Sequence, residues 1–281
     1  MGMSLDQKIL AALAEVRQEV DSAGLFEFYE RLLRAIRAKK ETLSLSAEQL
    51  LKATEDNMLR LPDEPYLSWQ AVNLQIDDFY PWLLSIAKLF DIRDPGALDE
   101  AEAVEKERSV ELAQVWFEEG SASLGPTVDG LFANALAPYL ERAAELMAVH
   151  LPLKKWKHNY CPLCGGFPDI ALWNESRRRQ KLMCERCRTE WTIAEEGCVF
   201  CGEDDPDAYG FYNSTDDLYR VMVCDSCGYY LKMINQQQAK LIRFKPILAA
   251  ERFLTPGLDL LAVQEGYTRP IQIVAFLGRV D

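Results

Sequence analysis

All eight cysteines of the 281-residue chain fall into four C-x-x-C pairs, and this feature constrains the fold more than any other. The gaps between successive pairs are 19, 10 and 22 residues, so a pair, a hairpin-length segment and a second pair occur twice. A C-x-x-C followed by another about 15 to 20 residues later is typical of a structural zinc site. The sequence therefore predicts two four-cysteine metal sites, with these ligands: Cys161, Cys164, Cys184, Cys187, Cys198, Cys201, Cys224 and Cys227.

The residues around the pairs support metal binding over the disulfide and thioredoxin-like alternatives. A tetrahedral ion holds thiolate sulfurs at about 2.3 Å, and two intervening residues allow a tight turn to bring both sulfurs to one ion. Glycine after the second cysteine eases a left-handed backbone there. Gly165, Gly202 and Gly228 occupy that position in three pairs, and Arg188 occupies it in the fourth. One C-x-x-C suits a redox motif, whereas four regularly spaced ones favour a metal framework.

The spacing leaves the pairing of the cysteines and the identity of the metal open. Neighbouring pairs close the shorter loops at lower entropic cost, but crossed pairing of the first with the third pair is also possible. Iron and zinc both suit four sulfurs in a tetrahedron. Because thiolates saturate such sites, no position remains for an activated water, and we expect no hydrolytic catalysis. We also expect the small modules to depend on metal for folding.

The two halves of the chain differ in secondary-structure pattern, and we predict an α+β, multidomain protein. Before residue 155 apolar residues recur at helical spacing, with a capping box at Ser4 and Gln7 and an expected kink or break at Pro81. The cysteine-containing half shows short alternating runs that predict strands. The predicted domains are an all-α helical domain (1–155), a first metal module (156–194), a second metal module (195–233) and a helical or extended segment packing on the modules (234–281).

Charge is distributed unevenly over the metal modules. The formal net charge of −13 disfavours nucleic acid as a partner, because cations neutralising phosphates supply most of that binding energy. Residues 154–188 carry nine Lys and Arg against three acids, whereas residues 189–219 carry nine acids and no Lys or Arg. These runs are either solvated faces or a polarised docking surface for a protein partner. In the second interpretation, Arg177, Arg178 and Arg179 are the partner-binding residues.

The remaining sequence features predict a soluble cytoplasmic protein without catalytic activity. The amino terminus lacks a signal-peptide pattern, and no run of 18 apolar residues occurs, so we expect no membrane span. His150 and His158 are the only histidines, which leaves little for histidine-dependent catalysis. No other catalytic constellation is visible, and we therefore predict that the chain is not an enzyme.

The cysteine-containing half resembles the formate dehydrogenase accessory protein family, FdhE. The resemblance covers roughly residues 150–275 and rests on CPLCGGFPDIALW, LMCERCRTEWTIAEEGCVFC, VMVCDSCGYYLKMI and LDLLAVQEGYTRP. It implies a cytoplasmic maturation factor or chaperone that associates with the catalytic subunit of formate dehydrogenase before export or assembly. It also implies tandem rubredoxin-like folds, with iron associated with the sites. By resemblance, the first two pairs form one four-cysteine site and the last two pairs form the other.

Two alternatives to the accessory role remain open on the sequence. The first is a rubredoxin-like electron carrier or redox sensor, which requires iron that cycles reversibly. The second is a zinc-ribbon nucleic-acid binder that uses the three arginines and Lys181. The acidic second module argues against nucleic acid.

Overall fold

A computed structural model describes residues 2–19, 23–55, 63–174, 179–194 and 197–270. Its helices are α1 (Leu5–Glu19), α2 (Ala23–Thr42), α3 (Ala47–Glu55), α4 (Trp69–Val72), α5 (Ile76–Phe90), α6 (Ala97–Glu102), α7 (Ser109–Glu119), α8 (Pro126–Met147), α9 (Gln236–Leu241), α10 (Leu248–Leu254) and α11 (Pro256–Gln264). Its strands are β1 (Pro168–Asn174), β2 (Arg179–Cys184), β3 (Glu190–Ala194), β4 (Tyr209–Asn213), β5 (Tyr219–Cys224) and β6 (Tyr230–Asn235). The predicted mixed fold, with helices first and two four-cysteine groups after them, is confirmed.

The helices α2 to α8 pack around a core in which Phe79, Trp116 and Phe132 are fully buried. The buried residues of α1, Ile9 and Leu13, belong to a second cluster that includes Ile170 of β1 and Leu248 of α10.

The predicted capping box starts α1, because the Ser4 amide donates to the Gln7 side chain at 2.8 Å and the Gln7 amide donates to the Ser4 hydroxyl at 3.3 Å. Within the described ranges, no helix has the length and apolarity that a membrane span requires.

The chain does not break at Pro81 as the sequence suggested, since α5 continues through this residue. The break lies earlier, at Asn73, which ends α4 in the left-handed conformation with φ 51°. On either side of Pro81, Phe79, Leu83 and Ile86 are buried on one face of α5. Their burial contributes about 1.5 to 3 kcal/mol each, which together exceeds the cost of about 3 kcal/mol for a proline within a helix.

The strands β1 to β6 form one sheet in the order β3-β2-β1-β6-β5-β4. Each half of the sheet is an antiparallel three-stranded unit, and the two units meet where β1 pairs with β6 in parallel. Each unit carries one four-cysteine group at its turns. The domain boundaries stay predictions, but the sheet makes the two metal modules structurally continuous.

The carboxy-terminal helices cover the sheet around a buried ion-pair network. Asp169 of β1 pairs with Arg252 of α10, with 2.7 Å between Oδ2 and Nε, and also with Arg269. Asp259 of α11 binds the ammonium group of Lys232 at 2.8 Å and also pairs with Arg269. Burial lowers the pKa of Arg269 to about 10. Pairing is required here, because an isolated buried charge is strongly unfavourable.

Candidate metal centres

The four C-x-x-C pairs adopt the same hydrogen-bonded turn. In each turn the amide of the first cysteine donates to a carbonyl five residues later, at 2.7 to 3.0 Å. The amide of the residue after the second cysteine donates back to the carbonyl of the first cysteine, at 2.8 to 3.2 Å. These bonds hold both sulfurs of a pair on one side of the turn. The local sequence thus builds half of a metal site before any tertiary contact forms.

The residue after each pair has a left-handed backbone, as the glycines predict. Its φ is 74° at Gly165, 77° at Gly202 and 72° at Gly228. Arg188 adopts the same conformation with φ 59°, although a side chain there costs about 1 to 2 kcal/mol. The turn geometry is therefore kept in all four pairs, and contacts of the Arg188 side chain must offset the strain.

The first group joins Cys161, Cys164, Cys184 and Cys187, all of them buried. The sulfurs of Cys161 and Cys187 lie 3.5 Å apart, and the Cys164 sulfur lies 3.5 Å from those of Cys184 and Cys187. These distances are far longer than a disulfide bond of about 2.05 Å. Four sulfurs placed tetrahedrally about 2.3 Å from an ion lie about 3.8 Å apart, so the group is close to the size that a metal requires. The amides of Leu163 and Arg186 each point at a cysteine sulfur at 3.4 Å and can offset thiolate charge.

The second group joins Cys198, Cys201, Cys224 and Cys227. The sulfurs of Cys201 and Cys224 lie 3.7 Å apart and those of Cys198 and Cys227 lie 3.8 Å apart, which matches the spacing of a tetrahedral site. The Phe200 amide donates to the Cys198 sulfur at 3.4 Å. Unlike the first group, this one reaches the surface, because Cys201 is exposed and Cys227 is half-buried. Each group can hold one metal ion, and the pairing is between neighbours, so the crossed arrangement does not occur.

Burial and the neighbouring thiols shift the pKa values of several cysteines in both groups. Burial raises the pKa of Cys161 and Cys187, and it raises the pKa of Cys198 to about 11. Burial also opposes ionisation of Cys164 and Cys224, but hydrogen bonds from neighbouring groups outweigh it and lower the pKa of both. Since metal ligands must be thiolates, loading either group releases protons and strengthens as pH rises.

Arg188 ties the first group to the helical half. Its guanidinium pairs with Asp6 of α1 at 2.9 Å and with Glu141 of α8 at 2.8 Å, and it is buried. Lys40 of α2 binds the same two carboxylates at 2.6 and 3.4 Å. Burial alone would lower the pKa of Lys40, but these carboxylates raise it. A residue of the cysteine turn is thus part of an ion-pair network shared by three helices.

Two further sets of contacts, one from the backbone and one from side chains, hold the first group against the helices. The amides of Tyr66 and Leu67 donate to the carbonyls of Pro162 and Leu163, inside the first turn, at 2.8 and 2.7 Å. The Arg186 guanidinium stacks over the Trp116 ring, with Cζ 4.6 Å from the ring centroid. The first group is therefore enclosed by the helical half.

The second group is held by the carboxy-terminal segment instead. The Thr268 amide donates to the Gly228 carbonyl at 2.9 Å, and the Thr268 carbonyl accepts from Tyr230 at 3.0 Å. The Tyr267 hydroxyl donates to Asp225, between the cysteines of the last pair, at 2.6 Å. Cys201 of this group stays exposed despite these contacts.

Other residues singled out from the sequence have varied placements. Arg179 is exposed at the start of β2, and Arg177 and Arg178 lie outside the described residues. His158 pairs with Asp63 at 2.8 Å and belongs to neither cysteine group. No sequence signal marked Asp6, Lys40 and Glu141, because charged residues on helices are usually solvated. Only the arginine in place of a turn glycine hinted at this network.

The sequence of this chain is similar to the sequences of FdhE proteins. No family model matches the chain. An FdhE homologue from Aquifex aeolicus is 26% identical over 209 residues, which are 71% of this chain and 71% of that protein. An FdhE protein from Escherichia coli O127:H6 is 27% identical over 115 residues, covering 40% of this chain and 36% of that protein.

A solved structure shares the fold over nearly the whole chain. The FdhE protein from Pseudomonas aeruginosa superposes with a TM-score of 0.64, covering 98% of this chain and 96% of that one. At 17% identity this likeness shows a common fold. The sequence similarity to FdhE proteins, together with this shared fold, supports the FdhE family for this chain, as the resemblance of its cysteine-containing half predicted.

Proposed function

We propose that the chain is a non-catalytic accessory protein that binds the catalytic subunit of formate dehydrogenase in the cytoplasm before that subunit is assembled or exported. The observation that carries the proposal is the similarity of the chain to FdhE proteins combined with two complete four-cysteine groups. In this role the chain acts as a maturation factor or chaperone, and its metal ions serve its own architecture.

The donor sets support an accessory role over metal catalysis. Each group offers four sulfurs to one ion, which fills a tetrahedral site and leaves no position for water or substrate. Catalytic zinc sites, in contrast, keep an open position. Four thiolates accept zinc or iron, so either metal fits the proposal.

The two metal ions would stabilise two different contacts: that between the sheet and the amino-terminal helices, and that between the sheet and the carboxy-terminal segment. An ion in the first group would fix the turn that carries Arg186 and Arg188, and therefore the contact between sheet and helices. An ion in the second group would fix the turns that the carboxy-terminal segment contacts. Since binding energy of a structural metal is folding energy, both contacts would depend on metal.

One observation favours a redox role as the second candidate. Cys201 is exposed, so an iron ion in the second group would lie close to the surface, where an electron partner can approach. A rubredoxin-like carrier or sensor requires that this iron cycles reversibly between two oxidation states. Reversible voltammetry of the iron-loaded protein would support this role, and a protein that holds only zinc would exclude it.

Binding to the catalytic subunit tests the accessory role directly. The purified chain and the purified catalytic subunit of formate dehydrogenase from the same organism are mixed and analysed by size-exclusion chromatography and titration calorimetry. We expect a stable complex, and lower formate dehydrogenase activity in cells that lack the chain. Absence of a complex together with normal activity in such cells would contradict the proposal.

A further inference from the structure

A cavity of about 100 Å³ lies between the helical half and the sheet. Helices α2, α5, α7 and α8 line one side of it, and the cysteine turn at residues 184–188 lines the other together with β1, β6, α10 and α11. The half-buried side chains of Tyr29, Asn134 and Phe253 mark the side on which the cavity approaches the surface. An engineered cavity of about 150 Å³ holds benzene, so this one has room for a ligand of about four non-hydrogen atoms, or for several waters.

Carboxylates line the cavity, but cations engage most of their oxygens. Three of them pair with cations at both oxygens: Glu141, Asp169 and Asp259. The pair of Asp169 Oδ2 with Arg252 lacks hydrogen-bond geometry, and Glu185 Oε1 also accepts no hydrogen bond, although it lies 4.0 Å from Nε of Arg186. The described residues of the cavity include four guanidinium and four carboxylate groups, so its lining has no net negative charge to repel an anion.

Three donors of the lining keep free N–H or O–H groups. Among the described residues, the guanidinium of Arg186, a residue only 8% exposed, makes one hydrogen bond, from Nη1 to the Phe117 carbonyl at 2.8 Å. Arg252 uses Nη1 for the Glu185 carbonyl at 2.9 Å and Nε for an ion pair, which leaves Nη2 without a partner in the same part of the chain. The Tyr29 hydroxyl makes no hydrogen bond there either, and burial raises its pKa to about 12, so it stays a donor.

The three donors are neighbours along the cavity. Arg186 directly follows Glu185, whose carbonyl accepts from Arg252. The Phe253 ring contacts both Arg252 and Tyr29, because Cζ of Arg252 lies 4.9 Å from its centroid and the Tyr29 ring centroid lies 5.1 Å from it. Two guanidinium groups and a hydroxyl donate well to a carboxylate, since hydrogen bonds to an ionised acceptor are about twice as strong as neutral ones.

The opposite side of the cavity is apolar, and Phe28, Leu32, Ile36 and Phe90 line it. A ligand that matches both sides has acceptor oxygens at one end and carbon at the other. Inorganic oxyanions lack an apolar end. A carboxylate of one or two carbons has three or four non-hydrogen atoms and therefore fits both the size of the cavity and its two sides.

We propose that this cavity binds a carboxylate of one or two carbons, with its oxygens on Arg186, Arg252 and Tyr29 and its carbon toward the apolar side. The inference goes beyond the proposed function and does not depend on it, since the site lies within this chain. Formate and acetate share this chemistry, and their relative affinities distinguish the two. A ligand of this size binds with a dissociation constant no tighter than on the order of 0.1 mM.

The test titrates the metal-loaded protein with sodium formate and with sodium acetate and follows binding by ligand-observed NMR, at ionic strength matched with sodium chloride. We expect saturable binding of at least one of the two, and the tighter ligand identifies the acid. Acetamide has the shape of acetate without its charge, so it should bind at least tenfold more weakly. Equal binding of acetamide would contradict recognition of an anion.

Tyr29→Phe removes one donor and keeps the ring contacts with Phe28 and Phe253. We expect it to weaken carboxylate binding about tenfold, because it deletes one hydrogen bond to a charged acceptor. Tyr209→Phe is the matched control, since Tyr209 is half-buried in β4 and lies outside the cavity. The control should bind within about twofold of the wild type.

Ala137→Leu fills the cavity from α8, and leucine is a good helix former. We expect this variant to lose carboxylate binding and to keep the unfolding temperature of the wild type. If neither carboxylate binds the wild type, the cavity holds water only and the proposal is wrong. Unchanged binding in both Tyr29→Phe and Ala137→Leu would place the anion elsewhere and overturn it too. Neither result affects the proposed accessory role, because formate dehydrogenase takes no part in the measurement.

Discussion

The two four-cysteine groups share local geometry but differ in surroundings. The first is buried and enclosed by the helical half, whereas the second borders the carboxy-terminal segment and exposes Cys201. Because the turns are alike, the difference comes from what the rest of the chain places around them. We therefore expect the first site to act mainly in holding the fold together, and the second to be accessible to exchange and to partners.

The largest expected difference is in the cost of losing one ligand. Cys164 and Cys201 occupy equivalent positions in the two units, which makes Cys164→Ser and Cys201→Ser a matched pair. We expect Cys164→Ser to lower the free energy of unfolding by about 5 kcal/mol or more, because it releases the metal and the helical contacts. Cys201→Ser should cost less than half as much. Chemical denaturation followed by tryptophan fluorescence measures both, and equal losses would remove the distinction between the sites.

The two sites should also differ in the rate at which they lose metal to a chelator. With excess chelator we expect two phases, the faster from the second site, since a chelator can approach the exposed Cys201 without opening the fold. An indicator dye records the release over time. Cys201→Ser should abolish the fast phase and leave the slow one. A fast phase that survives in Cys201→Ser and disappears in Cys164→Ser would reverse the assignment.

Arg188→Ala tests the ion pairs that join the first site to the helices. The substitution leaves Glu141 with Lys40 alone and keeps the strained backbone, so we expect a loss of about 3 kcal/mol in unfolding free energy. Gly228 is the equivalent residue of the second unit, and a Cβ there meets no atom within 4 Å. Gly228→Ala should therefore cost only the backbone strain of about 1 to 2 kcal/mol. Thermal unfolding of both variants measures the difference, and equal costs would show that the buried pairs add no stability.

Gly165→Ala and Gly202→Ala should give the smallest difference. Both positions have a left-handed backbone, with φ 74° and 77°, so the strain is nearly the same. A Cβ on Gly165 would lie 3.1 Å from Pro65, whereas one on Gly202 meets nothing within 4 Å. We expect Gly165→Ala to be more destabilising by about 1 kcal/mol, since the enclosed turn has little room. Denaturant titration resolves the two, and a larger cost at Gly202 would contradict the enclosure of the first site.

Local rules account for the parts of this fold that the sequence predicted. Cysteine spacing and the glycines that follow the pairs indicate the turns, and loop length favours neighbouring pairs. The unequal exposure of Cys164 and Cys201 has no local signal, because it depends on helices elsewhere in the chain, from Asp6 of α1 to Glu141 of α8. The same applies to Pro81, where packing of α5 outweighs the local preference to break. The single sequence hint of the interdomain network was Arg188 in a glycine position.

The most direct measurement is metal content. The protein is purified without added metal, with and without oxygen, and analysed for iron and zinc together with its absorption spectrum. Two ions per chain, falling to about one in both Cys164→Ser and Cys201→Ser, is the expected result. A folded protein that contains no metal in either preparation would contradict the assignment of the eight cysteines to two metal sites.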